Sequence, residues 1–359
     1  MKLLAWLGYP RADGHTARMT ALFLAGAADA GADIHAVNVA EADIRTCLGC
    51  YRCWLQSPGV CVQADAMSSL LRDILDADLI LAASPLYAYS ISSHLKRVLE
   101  RTLPLMAPGV EVPVAGGLER NRLRYPGRGP RRFAGLLVGG LKSLESFEPA
   151  AGTLRFYAAS FGWICSGILM RPESYLLQFP AAKPRCIKVI ESAFRRAGGE
   201  FVRQDYLEAA TIRDAAESLA ADVEHFACYS DVYWEHAGTR PDDLAAAGAE
   251  TIEDLRILMR EMARNVSPTA TRGVQAELQF EFPDRGWIFT LVVQDGTCRC
   301  TQGPGDHPQV TITCPSTLWA DVLRRRISGA RAFLHPACRV SGDRDLIRRW
   351  ERWFPPPLD

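Results

Sequence analysis

Four cysteines, Cys47, Cys50, Cys53 and Cys61, fall within fifteen residues in the spacing C-x2-C-x2-C-x7-C. Thiolates this close in sequence are good ligands for a soft metal or an iron–sulfur cluster, and they also exchange electrons as redox thiols. Gly49 relieves crowding among the first three, and Pro58-Gly59 lets the chain turn so that Cys61 returns as a fourth. No second close set follows, so all four must serve one site. Zinc usually draws on two separated pairs. From the residues alone, a cluster, a zinc ion, redox thiols and a thiol-rich loop without metal all stay open.

Two further segments carry chemistry. Gly8-Tyr9-Pro10-Arg11-Ala12-Asp13-Gly14-His15-Thr16 joins a first strand, Lys2–Leu7, to a first helix, Thr16–Ala30. Backbone amides at such a turn, with the helix N-terminus behind them, favour an anion, and Arg11 and the Thr16 hydroxyl add donors. Neither the dinucleotide fingerprint nor a P-loop is present. The second segment, Ser84-Pro85-Leu86-Tyr87-Ala88-Tyr89-Ser90, follows the third strand, Asp78–Ala83. Ligands in open α/β sheets sit beyond the carboxyl ends of the strands at the point where strand order reverses. In the flavodoxin-like order, strands one and three flank that point. Tyr87 and Tyr89 can wall a flat ring there.

The elements that would position these loops alternate regularly. Strands are expected at Lys2–Leu7, Asp33–Val39, Asp78–Ala83, Phe133–Gly139 and Trp163–Met170. Helices are expected at Thr16–Ala30, Asp65–Asp76, Ser92–Leu103, Ala150–Phe161, Lys183–Ala197 and Thr211–Phe226. This alternation implies a doubly wound parallel five-stranded sheet covered on both faces. Pro104–Arg132 reads as a long loop holding Arg120, Arg122, Arg124, Arg128, Arg131 and Arg132. Such a cluster is either a solvated loop or a docking site for dinucleotide phosphates that favours NADPH.

After about residue 265 the pattern changes. Gln275–Phe282 alternates strictly, with Ala276, Leu278, Phe280 and Phe282 on one face. Trp287–Val293 follows, then the hairpin signal Asp295-Gly296 and Thr297–Thr301. Val310, Ile312 and Cys314 alternate again, Ser316 can cap a helix at Thr317–Arg326, and Asp343–Phe354 carries an apolar helical face. This is an α+β module whose first helix is expected at Thr251–Met262, with Ala237–Gly248 as a linker. The expected domains are residues 1–205, a helical connector and linker over 206–249, and residues 250–359. Its second arginine run, from Arg324 to Arg352, fits the wet faces of helices or anionic lipid heads.

Composition narrows the classes. The 359 residues carry 41 basic and 41 acidic side chains, so no net field points to nucleic acid or a membrane surface. No apolar run reaches the roughly 20 residues of a spanning helix. The opening MKLLAWLGYPRADG has too short an apolar run for a signal peptide, and eleven cysteines suggest thiols in a reducing cytoplasm.

The first half resembles the flavodoxin-fold NAD(P)H-dependent FMN reductases, especially the iron–sulfur flavoproteins. The matching residues are Gly8, Pro10, Arg11, Gly14 and Thr16, the run Ile44 to Cys61, Asp65 and Met67, Pro85 and Tyr87, and Lys96 with Arg101. The resemblance covers roughly residues 1–200, with Tyr9 where the family usually has Ser and His15 where Asn is common. It implies FMN held through phosphate by Gly8, Pro10, Arg11, Gly14, His15 and Thr16, and through its ring by Ser84, Pro85, Leu86 and Tyr87. Gly139 and Gly140 would form a third flavin-side loop. It implies a 4Fe–4S cluster on Cys47, Cys50, Cys53 and Cys61, NAD(P)H as cosubstrate, and a quinone or other small apolar electron acceptor. A homodimer or higher oligomer is also expected. An electron carrier reduced by a partner protein is a second reading of the same parts.

The last hundred residues resemble the sterol-carrier-protein type 2 domain, through Leu278–Phe282, Asp295-Gly296, Val310–Leu323 and Val340–Phe354. That implies a five-stranded sheet and an apolar lipid pocket, for which Phe280, Phe282, Phe289, Ile312, Trp319 and Phe333 are the candidates. No set of Ser, His and Asp with nucleophile context appears, so catalytic side chains stay unassigned. A lipid-binding protein with a degenerate flavodoxin domain is the third reading.

Overall fold

Leu79–Ala83 and Phe133–Val138 are unbroken apolar runs too short for helices, and a strand buried on both faces is the state that satisfies them. The computed structural model describes residues 1–111, 119–178, 184–220, 222–236, 255–324 and 326–355. The expected linker Ala237–Gly248 and the start of the helix expected at Thr251 lie outside them. The chain divides into two compact units, Met1–Ala221 and Asp222–Asp359.

The first unit runs β1 (Lys2–Leu7), α1 (His15–Asp29), β2 (Asp33–Asn38), α2 (Arg52–Leu55), α3 (Met67–Asp76), β3 (Leu79–Tyr87), β4 (Ser90–Ile91) and α4 (Ser93–Glu100). It continues with β5 (Met106–Glu111), β6 (Arg120–Leu123), β7 (Arg132–Val138), α5 (Glu148–Ser160), β8 (Ile164–Arg171), α6 (Pro184–Arg203) and α7 (Ala209–Ala215). Its main sheet is parallel in the order β2-β1-β3-β7-β8, the expected flavodoxin-like sheet, with the short β4 paired antiparallel to β3. Because side chains alternate along a strand, each central strand serves two cores. Leu4, Trp6, Ile80, Ala82, Phe133 and Leu137 pack with α3, α4 and α5. The opposite face takes α1 and α6.

The contact between α1 and α6 is backbone against backbone. A Cβ on Gly26 would sit 1.7 Å from the Arg195 carbonyl oxygen, and one on Gly198 would sit 1.8 Å from that of Phe23. Only glycine at both positions allows the approach.

Two expectations change here. Pro104–Arg132 holds a hairpin, with β5 pairing antiparallel to β6 through a register shift between Ala107 and Val110. Arg120 pairs with Glu111 at 2.7 Å and Arg128 with Asp76 at 3.2 Å. Arg124 donates to the Pro104 and Met106 carbonyls at 3.1 Å, and Arg132 to that of Val202 at 3.2 Å. Four of the six clustered arginines therefore have structural partners. The helix expected at Thr211–Phe226 is two helices, since α7 stops at Ala215 and the next begins at Val223.

The second unit comprises α8 (Val223–His236), α9 (Leu255–Arg264), β9 (Gln275–Phe282), β10 (Trp287–Gln294), β11 (Thr297–Gln302) and β12 (Val310–Thr313). There follow α10 (Ser316–Leu323), α11 (Gly329–Phe333), β13 (Arg339–Gly342), α12 (Arg344–Arg348) and α13 (Trp350–Trp353). Its five-stranded sheet has the order β11-β10-β9-β12-β13, with β9 and β12 parallel and the other pairs antiparallel. Asp295 and Gly296 both take positive φ, 41° and 86°, as a type I′ hairpin turn requires. Ser316 does not cap α10. Its hydroxyl and amide both bond the Asp284 carboxylate from the β9–β10 turn. The expected closing helix breaks at Arg349 into α12 and α13, yet Trp350, Trp353 and Phe354 stay on the core.

Gly198→Ala should destabilise the first unit by about 3 kcal/mol, because backbone must move to admit the methyl group. Gly152→Ala, on a face of α5 with nothing within 4 Å of the new atom, should be neutral or stabilising by about 0.5–1 kcal/mol. Urea unfolding compares the two, and a wild-type midpoint for Gly198→Ala would contradict the close helix contact.

Candidate functional site

Strands β1, β3 and β7 run parallel and end side by side, with Leu7 opposite Ala83 and Pro85 opposite Val138. Their following loops therefore leave one edge of the sheet together. Gly8 lies where a Cβ would stand 2.8 Å from that of Leu95, so the first loop runs hard against α4. Its amide donates to the Ala83 carbonyl at 2.8 Å, and the Ser92 hydroxyl donates to the Gly8 carbonyl at 2.5 Å. The Ser92 amide donates in turn to the Ser84 hydroxyl at 2.8 Å, which donates to the Pro85 carbonyl at 2.8 Å. Ser84 and Ser92 are fully buried. Ser84, expected beside a flavin ring, thus ties the first two loops together. Ser92 was legible only as a helix start, and its second role had no sequence signal.

The first loop ends at Gly14, the N-cap of α1, which supplies no side-chain cap, and no acidic residue follows in the first turn. Such a terminus offers amide donors and the positive end of the helix dipole. Thr16 is buried, His15 half-buried, and Pro10 and Arg11 exposed, with Arg11 and Asp13 3.5 Å apart. Burial, helped by the charges of Arg18 and Arg11, lowers the His15 pKa to about 4, which leaves the ring neutral at pH 7.

In the second loop Tyr87 pairs with Ser90, so Ala88 and Tyr89 form a two-residue turn with φ of 47° and 61°. Side chains rarely take that conformation, and such strain persists where the surroundings impose it. The turn presents Tyr87 and Tyr89, each more than half exposed. The third loop meets the second directly. A Cβ on Gly139 would stand 2.8 Å from Phe147 Cζ and 3.1 Å from Leu86 Cβ, and one on Gly140 3.3 Å from the Tyr175 ring.

Behind this loop lies a feature the sequence did not signal. Glu173 is fully buried at φ 51°. It accepts from Lys142 Nζ at 2.8 Å and the Leu219 amide at 2.6 Å, and lies 3.7 Å from Arg171. One carboxylate so fastens the exit of the third loop to the chain at 218–220.

The four cysteines line one small cavity of about 20 Å³, together with Gln63, Glu100 and Arg101. Positive φ at Gly49, Tyr51 and Gly59, 62°, 53° and 86°, winds the loop around it. A Cβ on Gly59 would lie 2.6 Å from the Tyr125 hydroxyl, so the turn back to Cys61 packs on the β5–β6 hairpin. All four thiols are free. Burial raises the pKa of Cys53, and the nearby Cys61, Cys47 and Cys50 add to it.

Arg101, 1% exposed, reaches this cavity. It donates to both oxygens of the buried Asp65 carboxylate at 2.7 and 2.9 Å, to the Arg45 carbonyl at 2.7 Å, and to Cys61 Sγ at 3.4 Å. Burial works against the charged form of Asp65, but the bonds from Arg101 and the Arg45 and Met67 amides outweigh it and lower its pKa. Soft donors around one space, with a buried cation beside them, suit an anionic thiolate-held group in chemical type. Among the described residues, no three His, Cys, Asp or Glu side chains are already gathered to hold a metal ion.

In the second unit, a cavity of about 660 Å³ is lined by apolar groups including Leu258, Met262, Val322, Leu323, Ile327 and Trp350. The six expected pocket residues lie elsewhere. Phe280, Phe282, Phe289, Ile312 and Trp319 are fully buried in the core, and Phe333 packs on Trp319 with ring centroids 5.7 Å apart. No described helix is long and apolar enough to cross a membrane.

A parallel sheet of this order, with three loops meeting at its carboxyl edge, defines a flavodoxin-like domain, here joined to a separate mixed-sheet domain. Residues 1–112 match the model of the NADPH-dependent FMN reductase family, and residues 257–355 that of the SCP-2 sterol transfer family. The chain therefore carries a match to the first family in its first unit and a match to the second in its second unit. Among curated proteins it is similar to an iron-sulfur flavoprotein of Archaeoglobus fulgidus, 30% identical over 144 residues, which is 40% of this chain and 63% of that protein. It is also similar to an iron-sulfur flavoprotein of Methanocaldococcus jannaschii, 30% identical over 105 residues, covering 29% of this chain and 53% of that one. The chain thus spans less than two thirds of either relative. Among solved structures, an NAD(P)H:quinone oxidoreductase from Methanothermobacter marburgensis aligns at 15% identity and a TM-score of 0.42, over 58% of this chain and 99% of that one. An FMN-dependent NADH-azoreductase from Bacillus anthracis in complex with FMN aligns at 15% identity and 0.43, over 56% and 100%.

Arg101→Met should cost about 3–5 kcal/mol at neutral pH, since it leaves the Asp65 carboxylate buried without its cation. Because the Asp65 pKa is lowered on folding, the pair stabilises fully above the ordinary carboxylate value of about 4 and loses its effect as pH falls through the lowered one. The deficit of the variant should shrink accordingly in acid. Urea unfolding across pH measures this, and a cost that does not change with pH would contradict it.

Proposed function

We propose that this chain is an NAD(P)H-dependent FMN oxidoreductase that delivers electrons to a quinone or another apolar acceptor. Three loops that leave the sheet's carboxyl edge together, the first of them ending at an uncapped helix N-terminus, carry this reading. FMN, when bound, would supply the acceptance of hydride and its release as single electrons or pairs. The chain's part is binding and orientation. The first-turn amides of α1, with Gly8, Pro10, Arg11, Gly14, His15 and Thr16 around them, would take the phosphate. Pro85, Leu86 and the strained turn bearing Tyr87 would lie along the ring, while Ser84 holds that loop against the first. Gly139 and Gly140 let the third loop close against Leu86, Phe147 and Tyr175, and their backbone would border the ring edge.

Cys47, Cys50, Cys53 and Cys61 would hold an iron–sulfur cluster, which supplies one-electron transfer when present. The support is their shared cavity, the buried Arg101 beside Cys61, and the names of the curated relatives. Eleven free thiols suit a reducing cytoplasm. For the second unit, the 660 Å³ cavity and the family match support an apolar, lipid-like ligand.

Gly14→Asp separates phosphate binding from folding. At φ −74° and ψ 164°, with the nearest neighbour of a new Cβ at 3.4 Å, aspartate fits and should cap α1. Its charge would oppose a phosphate at the same amides, so FMN should bind at least about tenfold more weakly, a loss of about 1.4 kcal/mol. Flavin fluorescence quenching and thermal melting read the two effects separately. Unchanged FMN affinity in a folded variant rejects the phosphate site. Bleaching of bound flavin by NADPH or NADH under anaerobic conditions tests the activity, and no bleaching with either nucleotide favours a carrier reduced by a partner protein.

A further inference from the structure

Strands β12 and β13 pair antiparallel, with Thr313 opposite Arg339. The ladder ends with that pair, and the next residues in the same register, just beyond the strand ends, are Cys314 and Cys338. Opposed residues of an antiparallel pair have Cα atoms about 4.5–5.5 Å apart, inside the roughly 4.4–6.8 Å that a disulfide spans. Both cysteines are free thiols, and each lies near enough to shift the ionisation of the other. Cys314 is 1% exposed, whereas Cys338 is half-buried. Neither belongs to the cysteine loop of the first unit.

The pair brackets a working part of the second unit. Cys314 leads through Pro315 into α10, and the chain returns through α11 to Cys338. Between them lie Val322, Leu323, Arg326, Ile327, Ser328 and Gly329, which form one wall of the 660 Å³ cavity. The two sulfurs therefore sit where the cavity's α10–α11 wall leaves the sheet and rejoins it.

We infer that Cys314 and Cys338 form a dithiol modification site that a small disulfide such as glutathione disulfide closes, stapling the α10–α11 wall of the cavity to the sheet. The roles of the two sulfurs differ. Their interaction raises the pKa of Cys314, with burial adding to it, and lowers that of Cys338. Cys338, the more accessible and the readier thiolate, attacks one sulfur of the small disulfide and expels the other as a thiol. Cys314 then gives up its proton and attacks the Cys338 sulfur of the mixed disulfide, releasing the second small thiol. Two protein thiols lose two electrons and two protons in sum, and the external disulfide gains them. The step uses neither flavin nor cluster, so it stands apart from the reading of the first unit.

The full chain is incubated with glutathione disulfide, blocked with N-ethylmaleimide, digested and mapped by mass spectrometry. The expected result is a peptide joining Cys314 to Cys338, lost on treatment with dithiothreitol. In Cys314→Ser the reaction should stop at a lasting glutathione adduct on Cys338, and in Cys338→Ser residue 314 should stay unmodified. Hydrogen exchange across 316–334 should slow in the oxidised wild type. A glutathione adduct that persists on Cys338 of the wild type, or both thiols recovered free, overturns the site. Unchanged exchange in the cross-linked protein overturns the staple. The wild-type peptide map decides the site even where a serine variant folds poorly.

Discussion

The first unit depends on a short chain of buried hydrogen bonds that runs from Gly8 through Ser92 and Ser84 to Pro85. Strands β1 and β3 are covered by helices, so their backbone groups are satisfied by their neighbours only as far as the sheet reaches. Where the strands end, unpaired carbonyls and amides would be buried, and two serine hydroxyls take them. This fixes the first two loops to each other and to α4. The third joins by contact, because Gly139 has no side chain to hold Leu86 away. A ligand site at this edge is then assembled from rigid pieces, with backbone strain in its tyrosine-bearing turn and at Glu173 behind the third loop.

Much of this was legible beforehand, for physical reasons that differ from element to element. Strands buried on both faces must be apolar throughout, so β3 and β7 announced themselves. The alternation of β9 did the same for a sheet with helices on one side. The β5–β6 hairpin did not, since its strands are short, arginine-rich and shifted in register, and they follow no period of two. Helix ends were blurred for a similar reason. Asp343–Phe354 keeps one apolar face through a break at Arg349, and a periodicity of side chains cannot report a break that preserves the face. Ser316 looked like a cap because its type and place were right, yet Asp284, thirty-two positions away, supplies the carboxylate that α10 uses.

Charged groups were the hardest to foresee. Arg101 and Glu173 sit in sequence as ordinary polar residues, and nothing local marks them as buried. Their environments are made by distant segments: Asp65 and Cys61 around the first, Lys142, Arg171 and residues 218–220 around the second. Each resolves a problem of long loops, which bury backbone and need a fixed point. Arg101 does so for the cysteine loop by holding the Arg45 carbonyl and Asp65 at once. The same guanidinium then faces the thiols. The feature that shapes the loop and the feature that would offset the negative charge of thiolates are therefore one side chain, and a change at Arg101 acts on both.

The second unit shows the limit of pattern in another form. Apolar periodicity separates inside from outside, and it placed Phe280, Phe282, Phe289, Ile312 and Trp319 correctly inside. It could not say which inward residues touch each other and which border a void. A cavity is a failure of packing, created where two layers stand too far apart for their side chains to meet. Here the large aromatics fill the space next to the sheet, with Trp319 against Phe280 at 4.9 Å between ring centroids and Trp350 against Phe280 at 5.6 Å. The void falls one layer further out, between α9, the end of α10, the segment leading into α11, and α13. Its walls are helix residues of medium size on elements joined by short turns, and Trp350 is the side chain that both closes the core and floors the cavity. Whatever fills that space contacts the helices first, so ligand affinity should depend on how firmly those helices are held.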